Sequence, residues 1–205
     1  MVYAAFDSPW SYLASRRAHV LESVGVHVDW RAVVEEAAPS TDASARAERL
    51  DRVHAELERT LAVLLPDETL PSSLAGFVPG TAAAVTAYAD AYQRGAGRQA
   101  RRALFDALWL HGFDLGDARE THTLMEDVLS AFRQSHRPNA RPARRLQRQW
   151  EAQRRATRAT ALPVLVRDRG PALEGQQAAD WLARTAAWVQ RSAPGTTPES
   201  KRQTP

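Results

Sequence analysis

The chain contains no cysteine and a single lysine, Lys201. The first absence excludes disulfides, thiolate metal sites and a cysteine nucleophile. Its own side chains therefore cannot carry out thiol–disulfide exchange. Long apolar runs are missing too. No window approaches about 18 consecutive apolar residues, so no membrane-spanning helix is expected. The first apolar run, Val2 to Phe6, is too short for a secretory leader and lacks a basic flank. It is expected to be a core strand, and the chain to be cytoplasmic. The histidines (His19, His27, His54, His111, His122, His136) fall in no ligand spacing, and no metal is expected. There is no glycine-rich phosphate loop and no internal repeat.

What is present suffices for a packed core, since 44 % of the 205 residues are hydrophobic. The net charge is +3, yet the isoelectric point is about 9.8, because arginine supplies almost all the positive charge. Arginines gather at Arg141, Arg144, Arg145, Arg148, Arg154, Arg155 and Arg158. They spread round a helix that also carries Glu151, instead of forming one stripe. That reads as a solvated face and argues against nucleic acid. The same helix could meet an anionic substrate.

Residues 2–6 suit a short buried strand. Ser8-Pro9 starts a helix: serine accepts from orphan N–H groups, and proline is tolerated at the first helical position. The helix is expected to run to about Val24, burying Tyr12, Leu13, Ala18, Val20 and Leu21, with Gly25 ending it. Residues 26–34 alternate as a second strand. A helix is expected over 41–65, from the spacing of Leu50, Val53, Leu57, Leu61 and Leu64. A loop with prolines and glycines fills 66–80. Helices follow over 79–94, 97–111 and 117–132, with His111 at a C-terminus before Gly112. Pro138 and Pro142 break the pattern over 134–142. A helix over 143–158 then leads to a proline-entered strand at 162–166, a turn at 167–170, a partner strand at 171–173 and a final helix over 176–190. Residues 192–205 are expected to form a disordered tail.

The order is β-α-β, a helical block, then α-β-β-α. The first unit demands a right-handed crossover and a parallel pair. Pattern alone fits several α/β folds, among them a thioredoxin-like fold split by a helical insertion. Two stretches sharpen this. Phe6-Asp7-Ser8-Pro9-Trp10-Ser11-Tyr12-Leu13-Ala14 resembles the first strand–helix junction of the DsbA-like superfamily. Redox members carry Cys-Pro-Trp-Cys-Tyr there. The 2-hydroxychromene-2-carboxylate isomerases and kappa-class glutathione transferases carry Ser-Pro-aromatic-Ser-Tyr-Leu-Ala. Ala161-Leu162-Pro163-Val164-Leu165-Val166, followed by Leu173-Glu174-Gly175-Gln176-Gln177, is similar to the family's cis-proline strand and the start of its last helix. Residues 102–117 resemble the helical insertion.

The resemblance implies an α/β, DsbA-like fold. Residues 1–40 and 141–191 would form the thioredoxin-like domain, and 41–140 the insertion. It implies that Pro163 is cis, and that the backbone of Leu162 pairs with a bound thiol. Ser8 would then hold glutathione, or another low-molecular-weight thiol, as its thiolate. A helix N-terminus favours this through its free N–H groups and partial positive charge. The thiolate would add to and leave a small unsaturated or aromatic acid, or conjugate to it. A capping role alone also accounts for Ser8. Ser11 is either a solvated first-turn residue or a ligand contact. Trp10 is expected to lie exposed, as a stacking face for substrate, or to pack on the insertion. Asp7 either orients Ser8, acts as a base, or is a turn carboxylate favoured by the helix dipole. Gln176 and Gln177 stand where glutathione-using relatives often carry Asp-Arg, and Ala161 stands where they carry glycine. A homodimer is one option for assembly. The alternative to an isomerase or transferase is a redox-dead binding or assembly protein.

Overall fold

Val2, Tyr3 and Ala4 are all buried and form β1 (Val2–Ala4), the inner strand on which the sheet is built. The structure is a computed structural model that describes residues 1–35, 42–71, 78–130 and 142–192. After β1 come α1 (Pro9–Ser23), β2 (Trp30–Ala32), α2 (Ala43–Leu61), α3 (Ala82–Gln93), α4 (Gly97–His111), α5 (Ala118–Ser130) and α6 (Ala143–Ala156). The chain closes through β3 (Val164–Leu165), β4 (Leu173–Glu174) and α7 (Gln176–Ser192). The strand order is β2-β1-β3-β4. β1 and β2 are parallel, with Val2 opposite Trp30 and Ala4 opposite Ala32. β3 is antiparallel to both β1 and β4. This is an α/β thioredoxin-like sheet with helices α2–α5 inserted between its two halves.

α1 and α7 pack together, while α3 and α6 pack on β2. Two charged ties fix α1. Arg17 is buried and binds Glu68 at 2.7 and 2.8 Å and Asp180 of α7 at 3.2 Å. At the far end Arg101 of α4 grips both oxygens of Glu22, at 3.1 and 2.6 Å. Arg101 also lies over the Trp30 ring, 4.8 Å from its centroid.

Most helices lie where the periodicity puts them, and α4 has the expected bounds. Gly112 ends α4 with φ 67°, the left-handed conformation that glycine adopts at no steric cost. Several details differ. Val20 is 36 % exposed, because α1 turns its 17–18–21 stripe inward and leaves Val20 beside it. β2 covers only three residues of 26–34, since β1 offers only three partners. The strand expected at 171–173 is Leu173–Glu174. The helix expected from residue 79 starts at Ala82, after Pro79-Gly80. The helix expected over 41–65 stops at Leu61. The break at 134–141 and the tail at 193–205 lie outside the described residues.

Candidate active site at the mouth of the first helix

Ser8 is the N-cap of α1, with extended backbone (φ −95°, ψ 125°) and Pro9 next to it at the first helical position. Its carbonyl accepts the first helical bond from Tyr12 N–H at 3.0 Å. Its Oγ accepts from Ser11 N–H at 3.3 Å. That bond occupies an oxygen lone pair and leaves the hydroxyl proton to point elsewhere. It donates to Glu56 Oε1, 2.8 Å away on α2. The same oxygen accepts from Trp10 N–H at 3.4 Å. One carboxylate oxygen of the insertion therefore sits on the positive end of α1, held by the serine hydroxyl and a first-turn amide.

Two opposed influences act on Glu56. Burial pushes its carboxyl above the usual carboxylate range, and the nearby charge of Asp7 adds to this. The Ser8 hydroxyl, the Trp10 amide and Arg59 pull it back without cancelling the rise. The result is a carboxyl that takes up a proton more readily than an exposed glutamate.

Asp7 is buried and pairs with Arg49 of α2, which also donates to the Pro79 carbonyl at 3.2 Å. It serves as a tie between the β1–α1 turn and α2. Ser11 is fully buried, and its Oγ accepts from Ala5 N–H at 3.4 Å. The expectation of a solvated Ser11 is thereby corrected: the hydroxyl satisfies a main-chain donor at the end of β1. Trp10 is 8 % exposed and belongs to the core, so it is no open stacking face.

The wall behind the mouth is aromatic. Trp109 donates from Nε1 to the Phe6 carbonyl at 2.8 Å. Tyr12 stacks on Trp109 at 5.4 Å between centroids, and on Phe105 at 5.7 Å. Phe6 meets Phe105 and Tyr88. Burial, the main cause, with help from Asp106, pushes the Tyr12 hydroxyl up to about 12. It stays protonated at neutral pH.

The Leu162–Pro163 bond is cis and both residues are buried. The Pro163 carbonyl accepts from Gly175 N–H at 2.9 Å. Tyr3 pairs with Val164, so one further step of register brings Pro163 alongside Ala4, at the end of β1 that leads into the mouth. The approach to the cis bond is pinned by Glu174, which accepts from Thr160 N–H at 2.6 Å and Ala161 N–H at 2.9 Å. Those amide bonds, Ala161 first, hold its carboxyl below the usual range. Gln176 and Gln177 are exposed at the start of α7. The Gln176 amide is engaged with Asp180 at 3.4 Å, one turn further along α7.

A cleft of about 290 Å³ opens beside Glu56, lined by Asp7, Arg49, Arg52, Val53 and Arg59 among others. Sequence reasoning missed Arg49 and Glu56. They lie seven residues apart, two helical turns, on the stripe Arg49-Val53-Glu56-Thr60. Arg49 and Thr60 are buried, so polar residues bordering an apolar stripe were the available signal. Among the described residues no group of three His, Asp or Glu side chains could hold a metal ion. Nor is any described helix long and apolar enough to cross a membrane.

No protein-family profile and no curated protein matches this chain. Solved structures do. A 2-hydroxychromene-2-carboxylate isomerase is similar over 93 % of this chain and 95 % of its own, with 20 % identity and a TM-score of 0.61. The cytosolic disulfide reductase DsbM from Pseudomonas aeruginosa matches over 93 % of this chain and 98 % of its own, at 16 % identity and a TM-score of 0.57. A probable DsbA oxidoreductase from Streptomyces coelicolor matches over 100 % of this chain and 90 % of its own, at 17 % identity and a TM-score of 0.51. The fold is thus the DsbA-like thioredoxin fold with a helical insertion, here in a chain without cysteine.

Proposed function

We propose that this protein is a non-redox enzyme of the DsbA-like fold. It would isomerise or conjugate a small unsaturated or aromatic acid with the help of a low-molecular-weight thiol such as glutathione. The observation that carries this reading is the 2.8 Å hydrogen bond from the Ser8 hydroxyl to a carboxylate at the N-terminus of α1. The mouth already holds an oxyanion with a hydroxyl and a main-chain N–H, the groups that would stabilise a thiolate or enolate. The structural likeness to an isomerase of hydroxychromene carboxylate supports the same direction.

In this reading the sulfur of a bound thiolate bonds to an unsaturated carbon of the acid, and the displaced electron pair is held as an enolate. Rotation follows, and expulsion of the thiolate restores the double bond in its new geometry. No electron is gained or lost overall. The Leu162 backbone beside the cis bond would align the thiol. Arg52 or Arg59 in the cleft would meet the carboxylate of the acid.

The test is isomerisation of an unsaturated aromatic acid, followed by ultraviolet absorbance with and without added thiol. A thiol-dependent rate that falls roughly a hundred-fold in Ser8→Ala is expected, the size seen when an oxyanion donor is removed. No thiol dependence and no effect of Ser8→Ala would sink the reading.

A second reading, a redox-dead binding or assembly protein, draws support from the burial of Ser8, Trp10 and Ser11, at 1, 8 and 0 % exposure. It predicts no turnover with any thiol. A cytoplasmic location and a homodimer belong to the enzyme reading, and light scattering of the purified chain checks the second.

A further inference from the structure

The position at which Ser8 Oγ and the first turn of α1 converge is filled by the protein's own Glu56. The groups around it are mixed in charge. Asp7, in the turn before α1, is paired with Arg49 of α2. Arg52 and Arg59 of α2 and Glu35, just beyond β2, complete the rim of the cleft. An incoming anion would have to share the Ser8 and Trp10 donors with a carboxylate already bound to them. Like charges at that separation repel strongly where water is excluded. A neutral ligand with an S–H or O–H meets the opposite situation, because a carboxylate oxygen has lone pairs to accept its proton.

We propose that Glu56 sets ligand selection at the Ser8 hydroxyl and the Trp10 amide: that position receives a neutral hydrogen-bond donor, a protonated thiol or hydroxyl, and turns away free anions, while the carboxylate of an acid substrate is left to Arg52 or Arg59. The proposal rests on the mouth of α1 being the ligand site. It deepens that reading by giving the state in which the thiol enters. The thiol arrives as R–SH and its proton passes to Glu56 Oε1. The Ser8 and Trp10 hydrogen bonds transfer from the carboxylate to the sulfur. The negative charge moves from oxygen to sulfur and the net charge of the mouth does not change. Burial raises the proton affinity of the Glu56 carboxyl, the direction that an acceptor of that proton needs.

The experiment uses the full chain and two probes: 2-mercaptoethanol as a neutral donor, and methanesulfonate as a permanent anion. Binding is read from the amide ¹⁵N–¹H signals of Trp10 and Ser11. In the wild type, 2-mercaptoethanol is expected to shift them saturably and methanesulfonate not to. In Glu56→Gln, which keeps the shape and removes the charge, methanesulfonate is expected to bind roughly ten-fold or more tightly than in the wild type. Glu56→Ala should do the same, and serves if the glutamine variant melts early by circular dichroism. Equal methanesulfonate binding in wild type and variants overturns the proposal. So does a wild type whose Trp10 and Ser11 signals ignore 2-mercaptoethanol. Thiol-dependent turnover without charge selectivity would keep the enzyme reading and remove this role from Glu56. Selective binding without turnover would do the reverse.

Discussion

The two ends of α1 are both fastened to the helical insertion by a carboxylate, but in opposite electrostatic senses. At the N-terminus the carboxylate comes from outside. Glu56 reaches over from α2 and complements the positive end of the helix, with Ser8 as donor. At the C-terminus the carboxylate belongs to the helix. Glu22 lies in the last turn, where the dipole disfavours it, and Arg101 and Arg98 of α4 supply the missing positive charge. The C-terminal tie is the more deeply buried: Glu22 and Arg101 side chains are 3 % and 2 % exposed, although a cleft of about 370 Å³ reaches them. The N-terminal tie borders a cleft and uses a single carboxylate oxygen. One end is built to stay fastened. The other holds a half-buried carboxylate through one of its oxygens, at a smaller cleft of about 290 Å³.

Breaking the more deeply buried tie should have the largest effect. Arg101→Met leaves Glu22 buried with only Arg98 nearby, and is expected to cost about 3–5 kcal/mol in denaturant unfolding. The double variant Glu22→Met, Arg101→Met should recover most of that loss, since a buried pair replaced by apolar groups is often near neutral. A single-variant cost under about 1 kcal/mol would contradict the contrast. Next comes Trp109→Phe. It keeps most of the stacking with Tyr12 but removes the donor to the buried Phe6 carbonyl, for about 1–3 kcal/mol. Ser8→Ala should cost less, about 1 kcal/mol, the value of a lost N-cap. A cost equal to that of Arg101→Met would make the N-terminal tie as structural as the C-terminal one.

The smallest effect is a pH slope. The folded-state pKa of Glu56 lies above its unfolded value. Its contribution to stability is therefore full below the ordinary glutamate pKa, about 4.3, and is lost as pH rises through the folded value. Unfolding midpoints measured across this window should fall more steeply with rising pH in the wild type than in Glu56→Gln. Parallel curves would remove Glu56 as a titrating group.

The ends of α1 and the ties that fasten them were unequally legible in the sequence. The cap at Ser8-Pro9, the helix end at Gly25 and the bounds of α4 at Gly97 and His111 follow from local backbone chemistry, and they hold. The cis bond at Pro163 came from the resemblance, and the structure has it. Glu56 was out of reach because it meets Ser8 across 48 residues, and a glutamate on an amphipathic helix ordinarily faces water. Trp10 and Ser11 were expected outside for a related reason. Periodicity says which side of a helix is apolar, yet what covers its first turn is decided by α2 and α4, which the local pattern does not contain. Asp7 shows the same limit, since its partner Arg49 lies 42 residues away.

One further consequence follows from the place of β1 in the sheet. Val2 pairs with Leu165, so β1 leaves the ribosome long before β3, one of its two partners. At roughly 5–20 residues per second, that interval is about 8–30 s. Throughout it the nascent chain presents β1 with an unpaired edge and an apolar face, a surface open to strand addition by other chains. Expression at lower temperature or with a holdase chaperone should therefore raise the soluble yield more than any change at the mouth of α1. A chain stopped before residue 162 should accumulate in aggregates.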